Sequence, residues 1–158
     1  MNTTLRIIFF AITLTFIITQ ETGILFQEPI NFLQLGDDGY PVTLDLCMDN
    51  PIFKVTQKAV QPPTIIKGKS IRIIVAGVMI NDQVIQKLHL DTLFNGNKIY
   101  TAEVDKKNIK VAKGKWQYDY EASVPAFTPS GHWEIFMYIV NDKNENISCV
   151  KGIFDTTN

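Results

Sequence analysis

In the stretch KWQYDYEASVP, Trp116, Tyr118, Tyr120, Ala122 and Val124 occupy every second position, with Gln117, Asp119, Glu121 and Ser123 between them. A period of two is that of a strand with one buried face and one wet face. It predicts a strand over residues 116–124 with the aromatic row inward. Six further runs read as strands: residues 53–60, 70–80, 83–93, 98–104, 132–140 and 147–154. Turn residues punctuate them, among them Pro62-Pro63, Lys67-Gly68-Lys69, Asn95-Gly96-Asn97, Pro129-Ser130-Gly131 and Asn141-Asp142-Lys143-Asn144. Short strands at close, regular spacing and no sustained helical period predict an all-β fold, an antiparallel sandwich or barrel of about seven strands.

Two of these strands do not alternate cleanly. SIRIIVAGVMI is apolar on both faces apart from Arg72. Residues 132–140 place Trp133, Ile135, Met137 and Ile139 on one face, and His132, Glu134, Phe136, Tyr138 and Val140 on the other. Strands apolar on both sides are central strands whose second face is covered. The N-terminal segment is the expected cover.

The chain opens differently. After Arg6, residues 7–18 form an unbroken apolar run, IIFFAITLTFII. A bilayer span takes about 20 residues, so the run fits the apolar part of a secretory signal better than an anchor. The organisation expected is a signal peptide over residues 1–20, an N-terminal segment over 21–44 and the sandwich over 45–158. The whole chain has 158 residues, 46% of them hydrophobic, which is enough for one core. Fifteen basic and 16 acidic side chains leave a net charge of −1, which offers no basic surface for nucleic acid. In an oxidising secretory route the cysteine pair, Cys47 and Cys149, reads as a disulfide; otherwise both are buried thiols. Asn146-Ile147-Ser148 is a glycosylation sequon.

Catalytic chemistry has little to stand on. The histidines are His89 and His132, and a zinc site needs three or four ligands. His89 alternates outward with Lys87 and Asp91. Ser130 lies two residues before His132, but within a Pro-Ser-Gly turn and without a nucleophile elbow. Asp119 and Glu121 share the wet face of one strand. No phosphate-binding or dinucleotide glycine pattern occurs. The expectation is a non-enzyme without cofactor or metal.

The segments GKWQYDYEASVP, FTPSGHWEIFMYIVND and NISCVKGIFD, in that order, resemble the ML lipid-recognition family. That family includes phosphatidylglycerol/phosphatidylinositol transfer proteins and the Niemann–Pick lysosomal sterol carrier. FKVTQKAVQPPTIIKGKSIRIIVAG resembles its early strands, proline pair and Gly-Lys turn, so the likeness spans about residues 45–155. The resemblance implies an immunoglobulin-like antiparallel sandwich with an internal apolar cavity. It also implies a Cys47–Cys149 bridge from the N-terminal region to the last strand.

The cavity wall would be Trp116, Tyr118, Tyr120, Trp133, Ile135 and Met137 on one side and Ile73, Val75 and Met79 on the other. Phe53, Val55, Leu88 and Leu90 are further candidates. The implied ligand is a phospholipid or sterol, moved by a monomer through transient contact with membrane surfaces in the secreted or lysosomal/endosomal space. Lys106, Lys107, Lys110, Lys113 and Lys115 precede the aromatic strand, either meeting anionic head groups or forming a solvated loop. The segment DKKNIKVAKGKW departs from the family in lacking cysteines. The competing reading is an immunoglobulin-like interaction module with a solid core.

Overall fold

The computed structural model describes residues 39–157. The expected signal peptide and most of the N-terminal segment therefore lie outside the described residues. Ten strands follow one another: β1 (Tyr40–Pro41), β2 (Thr43–Leu46), β3 (Phe53–Gln61), β4 (Thr64–Ile65), β5 (Ser70–Met79), β6 (Gln83–Phe94), β7 (Asn97–Val111), β8 (Gly114–Ser123), β9 (Gly131–Asn141) and β10 (Asn146–Thr156). They form a five-stranded sheet, β2-β10-β9-β6-β7, a three-stranded sheet, β3-β5-β8, and a short β1–β4 ladder, and every pairing is antiparallel. One core cluster draws on both larger sheets, with Phe53, Val75 and Tyr118 from one and Leu88, Met137 and Phe154 from the other. The architecture is an immunoglobulin-like β-sandwich.

All seven strands expected from the sequence are present, and β1, β2 and β4 are added to them. The additions are two to four residues long, too short for alternation to register. The fourth expected strand, 98–104, extends to Val111 because β7 carries a bulge. Asp105 lies opposite Lys87, yet Ile109 lies opposite Ile85, so extra residues are looped out of β7. Lys107 and Asn108 take left-handed backbone conformations there (φ 52° and 55°), and the Lys107 amide donates to Asp105 Oδ1 at 2.7 Å.

β5 buries one face only; on the other, Ile74 and Ala76 are half-buried and Val78 is 38% exposed. It is the middle strand of its sheet, with Ile71, Ile73, Val75 and Met79 buried inward. Gly77 sits where the β3 backbone comes close, and an added Cβ would meet Lys54 O at 2.2 Å. The outer face of β9 is covered in part by its own neighbours. Phe136 stacks on Tyr138, His89 contacts the Tyr138 ring at 5.9 Å, and Lys151 lies over Phe136. A cover from the N-terminal segment concerns residues outside the description.

Cys47 and Cys149 are joined in a disulfide with Cα atoms 5.1 Å apart, closing a loop of sequence separation 102. Tyr40 and Lys67 both donate to Thr157 O, tying the β1–β4 region to the end of β10.

Candidate functional site

β7 and β8 are consecutive in the chain but belong to different sheets, and each is an edge strand. The chain crosses between the sheets at Ala112-Lys113, and no backbone pairing joins the two strands afterwards. A lateral seam therefore runs between them. Ala102 and Val104 face it from β7, and Trp116, Tyr118, Tyr120 and Ala122 from β8. The alternation in KWQYDYEASVP has the direction expected: Gln117 and Glu121 are exposed, and Asp119 pairs with Arg72 on the outer face. Large apolar side chains flank the seam outside. Ile99, Tyr100 and Ile109 of β7 are exposed, and Phe127, in the loop after β8, is 86% exposed.

Behind the seam the sequence-predicted residues pack as follows. Phe53, Val75, Met79, Leu88 and Leu90 are buried, as are Ile73, Trp133 and Met137, while Val55, Trp116, Tyr120 and Ile135 are partly buried against them. Trp116 contacts Phe53 edge-on at 5.1 Å and Tyr118 at 6.0 Å. Trp133 stands apart from that group, between Phe94 at 4.7 Å and Phe154 at 6.0 Å. Its indole N–H donates to Pro129 O and Thr156 Oγ1, both at 3.2 Å, which fixes it at one end of the sandwich.

An apolar gap of about 20 Å³ remains between the sheets, lined by Ile73, Ile135 and Met137 together with Ile65, Ile71, Val150 and Phe154. That gap has room for about one water molecule. Ile71 shares its face with Ile73 and Val75, and Val150 lies opposite Met137, so period-two extension of the same strands finds both. Leu44, which also lines the gap, falls in a strand too short to read, and Val42 lies between β1 and β2.

The one buried side-chain polar atom without a hydrogen-bond partner among the described residues is the hydroxyl of Tyr118. Burial chiefly, and then Tyr120 and Asp119, push its ionisation far above the ordinary tyrosine range. Burial raises that of Tyr120 as well.

The lysines before β8 separate. Lys106 continues the inward row of Ala102 and Val104, and its ammonium lies 5.0 Å from the centroid of the Tyr118 ring. Lys107 is exposed on the bulge. The Lys113 amide donates to Asp82 Oδ1. Lys110 borders an open cleft of about 460 Å³ at the end of the sheet opposite the Asn95-Gly96 hairpin, where Lys143, Asp82 and Asp142 balance its charge.

The histidines belong to the outer face of the larger sheet. His89 lies between Asp91 and Glu103, at 3.3 and 3.4 Å. His132 Nδ1 is 2.7 Å from Asp155, and Nε2 is 3.4 Å from Glu134. The Asp155 hydrogen bond first, then that of Glu134, holds the His132 pKa above its ordinary 6.5. Among the described residues, no group of three or more His, Cys, Asp or Glu is placed to hold a metal ion. Asn146, the sequon residue, is exposed at the start of β10.

No family model matches the chain. Among curated proteins, a Dictyostelium discoideum protein named "putative phosphatidylglycerol/phosphatidylinositol transfer protein" is 28% identical over 104 residues, 62% of this chain and 74% of the relative. Among solved structures, a Niemann–Pick type C2 protein from Japanese carpenter ant superposes with a TM-score of 0.52 at 16% identity, over 70% of this chain and 96% of that one. Chicken MD-1, solved in complex with lipid IVa, gives a TM-score of 0.52 at 14% identity, over 78% of this chain and 94% of that one. The chain resembles the ML lipid-recognition family in sequence and shares the immunoglobulin-like β-sandwich of these solved proteins.

Proposed function

We propose that the protein binds a lipid between its two sheets and carries it between membranes without covalent chemistry. The cargo class is a phospholipid such as phosphatidylglycerol or phosphatidylinositol, or a sterol. The single observation that carries this reading is the seam between β7 and β8: two edges of different sheets with no backbone pairing between them and aromatic side chains packed along one side. The sequence likeness to a named phospholipid transfer protein supports it.

The energetics are those of burial. An exposed methylene costs about 0.8 kcal/mol, so a chain of about sixteen carbons costs on the order of 12 kcal/mol to move bare through water. The interior holds a gap of about 20 Å³, so the sheets must part at the seam as the chain enters. Apolar side chains then exchange contacts with one another for contacts with lipid, and water gains no access. The strand connection at Ala112-Lys113 is the hinge for that movement. Trp116, Tyr118 and Tyr120 at the seam, and Phe53, Val55, Ile73, Val75, Met79, Leu88, Leu90, Trp133, Ile135 and Met137 behind it, form the wall.

Phe127 and Tyr100, exposed beside the seam, are the groups that touch a membrane during exchange. The protein works as a monomer in a secreted or lysosomal/endosomal compartment, where its disulfide persists and Asn146 is open to glycosylation.

The test is transfer of a fluorescent phospholipid between vesicles. Tyr120→Asp places a charge at the seam and is expected to lower transfer at least about tenfold. Lys87→Asp, on the outer face against Glu103, leaves transfer within about twofold. Equal rates for both variants would remove the seam assignment. A second reading, an interaction module with a solid core, is favoured by the single core cluster that joins the two sheets. It predicts no lipid uptake and no change in tryptophan fluorescence with vesicles.

A further inference from the structure

Two polar groups face the seam from opposite sheets, in surroundings that are otherwise apolar. Lys106 sits at an inward position of β7, half-buried, with its ammonium 5.0 Å from the ring centroid of Tyr118 across the gap. Among the described residues no carboxylate lies within ion-pair distance of it; the carboxylates nearest in sequence are engaged, Asp105 by the Lys107 amide and Glu103 by Lys87. Tyr118 is 7% exposed and its hydroxyl has no partner. A half-buried cation without a carboxylate and a buried hydroxyl without an acceptor are both costly features, and each calls for a partner. Lys106 opens the bulge, and Lys107 and Asn108 after it take left-handed backbone conformations.

The chemistry of a fitting ligand follows from what the pair lacks. An ammonium has three donors and no acceptor, and a phenol can donate one hydrogen bond more. Together they call for an anion with several acceptor oxygens at the edge of an apolar body. A phosphodiester with its neighbouring glycerol ester has these. A sterol offers one hydroxyl and no charge, and leaves the ammonium unmatched. We propose that Lys106 and Tyr118 form a head-group subsite at the β7–β8 seam for an anionic phosphodiester, which makes an anionic phospholipid the cargo in preference to a sterol. The proposal rests on the lipid-carrier reading above and narrows it.

The experiment uses protein expressed from the full chain through a secretory host, with phosphatidylcholine vesicles carrying either a fluorescent phosphatidylglycerol or a fluorescent sterol. Wild type is expected to take up the phosphatidylglycerol in preference. Lys106→Met is expected to weaken that uptake about tenfold and leave sterol uptake unchanged. Tyr118→Phe, which keeps the ring, weakens it about threefold. Lys107→Met, one residue away on the exposed bulge, leaves it unchanged. Unaltered far-ultraviolet circular dichroism in each variant shows that folding is intact.

Equal losses in Lys106→Met and Lys107→Met would mean diffuse charge attraction and overturn the subsite. So would a wild type with no preference between the two lipids. Soluble glycerol phosphate displacing the fluorescent phosphatidylglycerol at matched concentration would make this a site for free phosphate and also overturn it. If wild type takes up neither lipid, the carrier reading itself fails. If wild type prefers phosphatidylglycerol and Lys106→Met does too, only the subsite fails.

Discussion

Tyr118 carries its hydroxyl into a site that offers no partner, and an unsatisfied buried hydroxyl costs about 1–3 kcal/mol. Tyr118→Phe is therefore expected to raise the melting temperature of the lipid-free protein by several degrees. A lowered melting temperature would show the hydroxyl to be bonded in the free state. His132 gives the opposite kind of prediction. Its folded pKa is raised above 6.5 by Asp155 and Glu134, so its contribution is fully present below pH 6.5. That contribution is lost as pH rises through the folded value. The gap in melting temperature between wild type and His132→Gln should thus be wider at about pH 5.5 than at about pH 8.5. A gap that widens with rising pH would contradict the arrangement. The aromatic row and its direction were legible in the sequence because alternation reports which face is wet. The orphaned hydroxyl was not, since it depends on what lies across the sheets.

The seven longer strands could be read from runs of β-branched and aromatic residues bounded by Gly, Pro and Asn. Their pairing order could not, because register depends on contacts distant in sequence. β7 shows where reading stops. Its second half, DKKNIKV, has no alternation to follow because the bulge breaks the period, so the sequence leaves the lysines there either meeting head groups or forming a solvated loop. The fold sorts them: Lys106 turns in over Tyr118, Lys107 stays out, and Lys110 joins a charge-balanced cleft. The apolar second face of β5 predicts a covered central strand; β5 is the middle of its sheet, but among the described residues that face stays open, with Val78 38% exposed. What closes the outer face of β9 within the described residues is packing with its own neighbours, through Tyr138 with His89 and Phe136 with Lys151.

At the scale of the molecule, the disulfide joins the start of the described chain to β10, on the larger sheet. Closing a loop of 102 residues restricts the unfolded chain by about 4–5 kcal/mol. Replacing both cysteines by serine is expected to lower stability by an amount of that order, read as a shift in denaturation midpoint. A midpoint unchanged by the double substitution would show that the bridge restrains little. The bridge lies on the outer face of the larger sheet, away from the β7–β8 seam, so the seam can open while β2, β10 and β9 stay together. The shared core cluster and the unpaired edges describe one object: a sandwich whose two sheets meet through their side chains, with no backbone pairing between β7 and β8.

Entry of a lipid between the sheets is read out by native mass spectrometry of the secreted, purified protein after incubation with phosphatidylglycerol vesicles. The expected result is a mass increase of about one lipid per chain, absent in Tyr120→Asp. A wild-type protein that stays at its bare mass with phosphatidylglycerol and with sterol alike would contradict it and leave the aromatics of β8 as the filling of a solid core.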